Sequence, residues 1–293
     1  MNAVAESLLN PPGAQDAFLF VRALATELSS AEVDLPGFPE IAARVRQALA
    51  DENVSTDKVA RIVSAEPVIA ARLLRMANSA ALNPSGKPIA DLRAAILRVG
   101  LNVVRSTTIA FAVQQLRRSE TLRGLEKPLD LLWQRSVLIA SLSYVIARRY
   151  ACSNPDTALL AGVLHGIGRL YILTRASRHP GLFADVATYQ AIERDWHLPI
   201  ACALLEHWGI ADEIVQAVRE SEDFAREPRG NVSLSDVLVT ATLIAVYRDQ
   251  PELLDARLNS VRPVARLKLD RAACEALAME SAQELAELQE ALG

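Results

Sequence analysis

Apolar residues recur three and four positions apart along most of this chain, which is the spacing of an amphipathic α-helix. The stretch 89–118 predicts two helices hinged at Gly100, although its β-branched residues at 103–109 would by themselves favour a strand. No hairpin dipeptide joins a pair of strand patterns, so the predicted class is all-α. The other predicted helices are 14–30, 40–51, 55–66, 68–82, 129–150, 156–174, 180–196, 198–209, 211–223, 233–249 and 269–293.

The composition is that of an ordinary globular chain, but the charge is unevenly distributed. The 293 residues are 51% hydrophobic and 23% charged, and the net charge of −4 argues against polyanion binding by bulk charge. Between Arg44 and Arg118, however, 12 Lys and Arg face 5 Asp and Glu. An anionic nucleotide or nucleic acid would therefore bind in this half. The candidate binding residues are Arg72, Arg75, Arg98 and Arg105.

Cysteine use and hydropathy bear on the compartment. Cys152, Cys202 and Cys274 are far apart and form no C-x-x-C pair, which predicts reduced thiols in a cytoplasmic protein. The N-terminus has no basic region typical of a signal peptide. No uncharged apolar run reaches the roughly 18 residues that cross a bilayer, so we expect no membrane span.

Several segments, in the same order, resemble the HDOD family, a bacterial branch related to the HD-domain phosphohydrolases. They are "LPGFPEIAARV", "VARIVSAEPVIAARLLRMANSA", "IADLRAAILRVGLNVVRS", "LLWQRSVLIA", "ALLAGVLHGIGRL" and "LLEHWGIADEIVQAV". The Asn78-Ser79 pair is one specific piece, whereas Glu66-Pro67 stands where the family usually has Asp-Pro. The resemblance implies a two-lobed helical HDOD domain at 34–236, an N-terminal helical extension at 1–33 and a C-terminal helical extension at 237–293.

The resemblance also identifies the positions at which HD-type enzymes bind metal. Those enzymes use a first histidine, a His-Asp pair and a late aspartate, and two-metal versions add histidines. Here the first position is Arg135, the pair is His165-Gly166, and the late aspartate is Asp236. An additional histidine matches His197, and a His-His pair would fall near Ser221-Glu222.

This set of residues argues against a metal. Glycine has no donor atom, and the guanidinium of Arg135 is a permanently charged donor that cannot ligate. A positive charge about 4 Å from a dication costs on the order of 8 kcal/mol at an effective dielectric of about 20. We therefore expect no cofactor and no catalytic residue. Asp236 is predicted either to cap a helix or to pair with Arg135. His165 is predicted to be a buried core residue that is hydrogen-bonded to a neighbouring helix. His197 is predicted to cap a helix or to be exposed.

Three functions follow from these observations. The first is a non-catalytic bacterial signalling module that binds other signalling proteins, as the HDOD resemblance implies. The second is a residual metal-dependent phosphohydrolase that uses another residue set, for which bound metal would be the sign. The third is nucleotide or nucleic-acid binding through the basic half, although no aromatic residues interleave its arginines to stack on bases. The first is the preferred prediction, and the oligomeric state stays open.

Overall fold

The structure is a computed structural model, and it describes residues 14–30, 40–51, 53–78, 83, 86–117, 124–150, 153–208 and 210–292. Within these ranges the regular elements are all helices, which confirms the all-α class. They are α1 (Ala14–Ser30), α2 (Glu40–Leu49), α3 (Thr56–Val63), α4 (Pro67–Ala77), α5 (Leu92–Val99), α6 (Leu101–Arg117), α7 (Glu126–Tyr150), α8 (Pro155–Leu164), α9 (Ile167–Ala176), a 3₁₀ turn (Pro180–Ala184), α10 (Val186–His207), α11 (Asp212–Glu220), α12 (Leu234–Tyr247), α13 (Pro251–Ser260), α14 (Arg262–Arg266) and α15 (Arg271–Leu292).

The first lobe is built by α2 to α5 and part of α6 around a mostly aliphatic core. Ser55 caps α3 as the sequence predicts, because its side chain accepts a hydrogen bond from the backbone N–H of Lys58. The predicted hinge is also confirmed: Gly100 separates α5 from α6 with a φ of 84°, a left-handed conformation that glycine adopts without strain. The core side chains include Val45, Val59, Val63, Ile69, Leu73, Ile96, Val104 and Phe111.

Asn78 joins the end of α4 to the segment that leads into α5. Its side-chain oxygen accepts from the backbone N–H of Ile89 at 2.7 Å, and its side-chain nitrogen donates to the carbonyl of Ile89 at 2.8 Å. The signature residue therefore fixes a connection within the first lobe. Three features of the sequence analysis lie outside the described residues: Ser79, which follows Asn78, the predicted domain boundary near residue 34, and Cys152.

The second lobe is larger and surrounds α7, which packs against α8, α12 and α15. Two glycines allow unusually close helix contacts there. A Cβ on Gly162 would lie 2.3 Å from the Cα of Ala140, and one on Gly168 would lie 1.9 Å from the carbonyl oxygen of His197. These contacts place the turn between α8 and α9 against both α7 and α10.

The two lobes and the terminal helices share contacts. Along α6, Phe111 belongs to the first core and Ile109 to the second. Helix α1 buries Phe20 and Leu24 in the second lobe, while α15 contacts α4, α6 and α7. The border predicted at residue 236 falls inside α12, a helix whose side chains are buried from its first turn onward.

Three helix predictions were wrong. The predicted helix 156–174 is two helices, because the chain turns at His165-Gly166. The helices predicted on either side of His197 are one helix, α10, which continues through Pro199. Its buried positions on both sides of the proline outweigh the loss of one backbone hydrogen bond. Helices α13 and α14 were not predicted.

Two helical stretches, Glu126–Tyr150 and Pro155–Ala176, have the length and hydropathy of a membrane span. In their most apolar windows 56% and 94% of the residues are buried inside the protein. Core packing therefore accounts for this apolar character.

Candidate functional site

The positions that correspond to metal ligands in HD-type enzymes lie on different helices of the second lobe. Arg135 is on α7, His165 and Gly166 form the turn between α8 and α9, and His197 is within α10. Ser221 and Glu222 follow α11, and Asp236 lies in the first turn of α12. The structure divides the charged members of this set between two separate ionic clusters.

The first cluster, which we call the Glu222 cluster, comprises Arg135, Arg169, Glu193, His197 and Glu222. Both carboxylate oxygens of Glu222 accept from Nη2 of Arg169, at 2.7 and 2.8 Å, and Nη2 of Arg135 lies 3.4 Å from Oε1. Nε2 of His197 is 3.3 Å from Oε2 of Glu222, and Nη1 of Arg169 is 3.4 Å from Glu193. The carboxylate of Glu222 is thus shared by two guanidinium groups.

The electrostatics of this cluster favour the ionised carboxylate. Burial by itself would raise the pKa of Glu222, but its close contact with His197 and the charge of Arg169 hold that pKa well below the usual range. Burial lowers the pKa of Arg135, and the nearby charge of Arg169 adds to the effect. Glu222 is therefore a permanent anion at neutral pH.

His165 is a buried core residue, as predicted, but its hydrogen-bond partner is in its own helix rather than a neighbouring one. Nδ1 lies 2.7 Å from the carbonyl oxygen of Gly162, which can only accept, so Nδ1 carries the proton. Burial lowers the pKa of His165 to about 4, and the charge of Arg135 adds to this while the bond to Gly162 opposes it. The imidazole is neutral at pH 7, and its Nε2 presents a lone pair.

The prediction that His197 caps a helix or is exposed was wrong. The side chain is buried in the middle of α10, and its Nδ1 lies 2.8 Å from the carbonyl oxygen of Glu193 one turn earlier. Its other ring nitrogen, Nε2, faces the carboxylate of Glu222 at 3.3 Å. His197 therefore acts as a partner of a carboxylate in this structure.

Asp236 is the centre of the second cluster, which we call the Asp236 cluster and which contains Arg226, Ser233 and Arg266. The fully buried carboxylate accepts from both arginines, with Arg266 at 2.9 Å, and from the backbone N–H of Ser233 at 2.9 Å. The predicted pairing with Arg135 was wrong, since Arg135 is bound to Glu222. The helix cap is Ser233, and Asp236 completes a capping box at the third helical position.

A divalent metal does not fit these residues. Gly166 offers no donor, Arg135 offers only N–H groups, and the carboxylate of Asp236 is already bound by two guanidinium groups. Within the described ranges, no group of three or more His, Cys, Asp or Glu side chains converges as a metal site would require.

The basic residues proposed as an anion surface lie in different environments. Arg72 is buried, with its guanidinium 5.6 Å from the centre of the Phe111 ring. Arg105 is half-buried and donates to the carbonyl of Leu49 at 3.2 Å, and burial lowers its pKa. The two solvent-exposed members are Arg75 and Arg98. Binding by the four together stays a prediction.

Sequence reasoning missed Arg169, Arg226 and Arg266, which hold the two carboxylates. Arg169 had a detectable signal: it interrupts an apolar helix four residues after His165, and a charge at such a position needs a partner. No comparable signal marks Arg226 and Arg266, which come from a loop and from the unpredicted helix α14.

Comparison with known proteins identifies the class to which this fold and site belong. The HDOD domain family matches residues 35–224, about two thirds of the chain, so this chain belongs to the HDOD family. No protein with a curated function matches it.

Solved structures of similar fold cover nearly the whole chain. A protein of Shewanella amazonensis SB2B described as a "putative metal-dependent phosphohydrolase" is 25% identical, with a TM-score of 0.69 over 91% of this chain and 99% of its own. An HDOD domain protein with unknown function from Geobacter sulfurreducens is 24% identical, with a TM-score of 0.60 over 90% and 95% of the two chains. A "putative signal transduction protein" of Marinobacter aquaeolei VT8 is 18% identical, with a TM-score of 0.58 over 97% and 66%.

Proposed function

We propose that this chain is a non-catalytic regulatory module of the bacterial cytoplasm that acts by binding other signalling proteins. The observation that carries the proposal is the pairing of both carboxylates at the former ligand positions. Glu222 is held by Arg135 and Arg169, and Asp236 by Arg226 and Arg266. An arginine cannot ligate a metal, and it competes with the metal for each carboxylate.

The energetics support this interpretation. A metal that recruited Asp236 would have to displace two guanidinium groups from a fully buried carboxylate and leave them without a counter-charge. Each charge-assisted hydrogen bond lost would cost about 1.5 to 3 kcal/mol. HDOD membership supports the regulatory role, because the family resemblance implies signalling rather than hydrolysis.

A hydrolysis assay tests the absence of catalysis. Cyclic dinucleotides, guanosine polyphosphates and deoxynucleotides are incubated with the wild-type protein and Mn²⁺, Mg²⁺ or Fe²⁺. We expect no turnover above a no-protein blank. Turnover that is lost in Asp236→Ala and retained in Asp249→Ala, which removes an exposed carboxylate, would establish the residual phosphohydrolase instead.

An interaction assay tests the binding of other proteins. Leu97 on α5 and Leu131 on α7 are equally exposed, at 66% and 67%, and each is replaced by glutamate. Proteins that co-purify with the wild-type chain from its native cells are quantified for both variants. We expect one of the two substitutions to reduce recovery of a specific partner. Absence of any saturable partner in the wild-type sample would contradict the proposal.

A further inference from the structure

Four nitrogen atoms of the Glu222 cluster and of the adjoining His165 are buried and have no hydrogen-bond partner among the described residues. They are Nε of Arg135, Nε of Arg169, Nε2 of His197 and Nε2 of His165. His165 is 2% exposed and lies in the turn whose Gly166 approaches Ser136, the neighbour of Arg135. Buried polar atoms are nearly always hydrogen-bonded, and four exceptions around one centre indicate a site that is complementary to a ligand.

The chemistry of these atoms defines the ligand. The two guanidinium groups are donors and suit the oxygens of an anion. His165 is different: because Nδ1 donates to Gly162, its neutral ring offers Nε2 as an acceptor. The complementary ligand is therefore an oxyanion that also carries a proton on oxygen. Hydrogen phosphate has both features at neutral pH, whereas sulfate has no proton to donate.

The carboxylate of Glu222 is an anion of the protein itself that already binds these donors. Its carboxylate bonds to Arg169 through both oxygens, as a bound oxyanion would. The residue lies in a turn after α11 and its side chain is 24% exposed, so it can leave without unwinding a helix. Because Glu222 carries one negative charge, its departure raises the net charge of the Glu222 cluster by one unit.

We propose that the Glu222 cluster together with His165 is a binding site for phosphate, free or as the terminal group of a small molecule, and that Glu222 is a built-in competitor for this site. This inference names the ligand of the regulatory module and in that respect rests on the proposed function. The ligand binds to the conformer in which Glu222 has swung out, so its apparent affinity is reduced by the small fraction of that conformer.

Calorimetric titration with inorganic phosphate at constant ionic strength tests the proposal. The proteins are wild type, Glu222→Ala, Glu222→Gln and Glu213→Ala; the last removes an exposed carboxylate of the preceding helix, α11, and so matches the change in charge. We expect phosphate to bind Glu222→Ala at least about tenfold more tightly than wild type, because the competitor is gone. Glu213→Ala should match wild type, and Arg169→Gln added to Glu222→Ala should abolish binding.

The same titrations distinguish the source and the chemistry of the ligand. Sulfate should bind Glu222→Ala more weakly than phosphate does. Adenosine 5′-monophosphate is titrated in the same way. If it binds more tightly than inorganic phosphate, the ligand is the terminal phosphate of a larger molecule. If Glu222→Ala does not fold, as judged by circular dichroism, Glu222→Gln takes its place. Equal phosphate affinity in the folded Glu222 variant and wild type would overturn the proposal. That result would not affect the proposed function. The proposed function is contradicted by a different result, hydrolysis of a substrate by the wild-type protein.

Discussion

The Glu222 and Asp236 clusters both contain positions that the HDOD resemblance assigns to metal ligands, yet they differ in how completely their polar atoms are hydrogen-bonded. Asp236 is fully buried in the first turn of α12 and is bound by two guanidinium groups and by the backbone and side chain of Ser233. Glu222 is partly exposed, lies in a turn, and is surrounded by nitrogens that lack partners. The comparison teaches that two buried or half-buried carboxylates of one lobe can have different parts: Asp236 belongs to the framework, whereas Glu222 lies in the polar site that we propose for phosphate.

Replacing Asp236 should have the largest effect on stability. Asp236→Asn keeps the volume but removes the charge that Arg226 and Arg266 share, and breaking a buried ion pair costs about 3 to 5 kcal/mol. Urea denaturation should therefore show a free energy of unfolding lowered by about 3 kcal/mol or more. Asp249→Asn, at a carboxylate that is 83% exposed, should change it by less than about 0.5 kcal/mol. A small effect at Asp236 would refute its structural role.

His165 should make the protein less stable in mild acid. Its folded pKa of about 4 lies below the ordinary value of 6.5, so between these values the unfolded chain binds a proton that the folded chain does not. Stability therefore falls as the pH is lowered from about 6.5 towards 4, by up to about 3 kcal/mol in total. Urea titrations of wild type and His165→Gln between pH 7 and 4.5 should show a shallower loss in the variant. Parallel pH profiles would contradict this.

Replacing Glu222 should have the smallest effect on stability. Glu222→Gln leaves Arg135 and Arg169 without a full counter-charge, but Arg135 is partly open to solvent, so we expect a loss of about 1 to 2 kcal/mol. The measurement is the same urea titration, made beside Asp236→Asn. A larger loss for Glu222→Gln than for Asp236→Asn would reverse the contrast between the two clusters.

The sequence was sufficient for the helical class, for most helices and for the hinge at Gly100, because these follow from local periodicity and glycine conformation. It did not predict the course of α10 through Pro199, since the burial that holds this helix together comes from distant segments. The ligand positions that the HDOD resemblance implies stay a prediction, and the predicted pairing of Asp236 with Arg135 was wrong. Arg266 reaches Asp236 across 30 positions and Arg135 reaches Glu222 across 87, and no local pattern encodes such pairings.

The central claim is that arginines have replaced the metal, and calorimetric titration with Mn²⁺ and Zn²⁺ tests it most directly. Wild type should show no stoichiometric metal binding, and neither should Gly166→Asp. The new Cβ of this variant would lie 2.8 Å from the Ser136 hydroxyl, and we expect its carboxylate to pair with Arg135. The double variant Arg135→His with Gly166→Asp should bind metal only weakly, because Arg226 and Arg266 still occupy the carboxylate of Asp236. About one tightly bound metal per wild-type chain, lost in His165→Ala, would contradict the account.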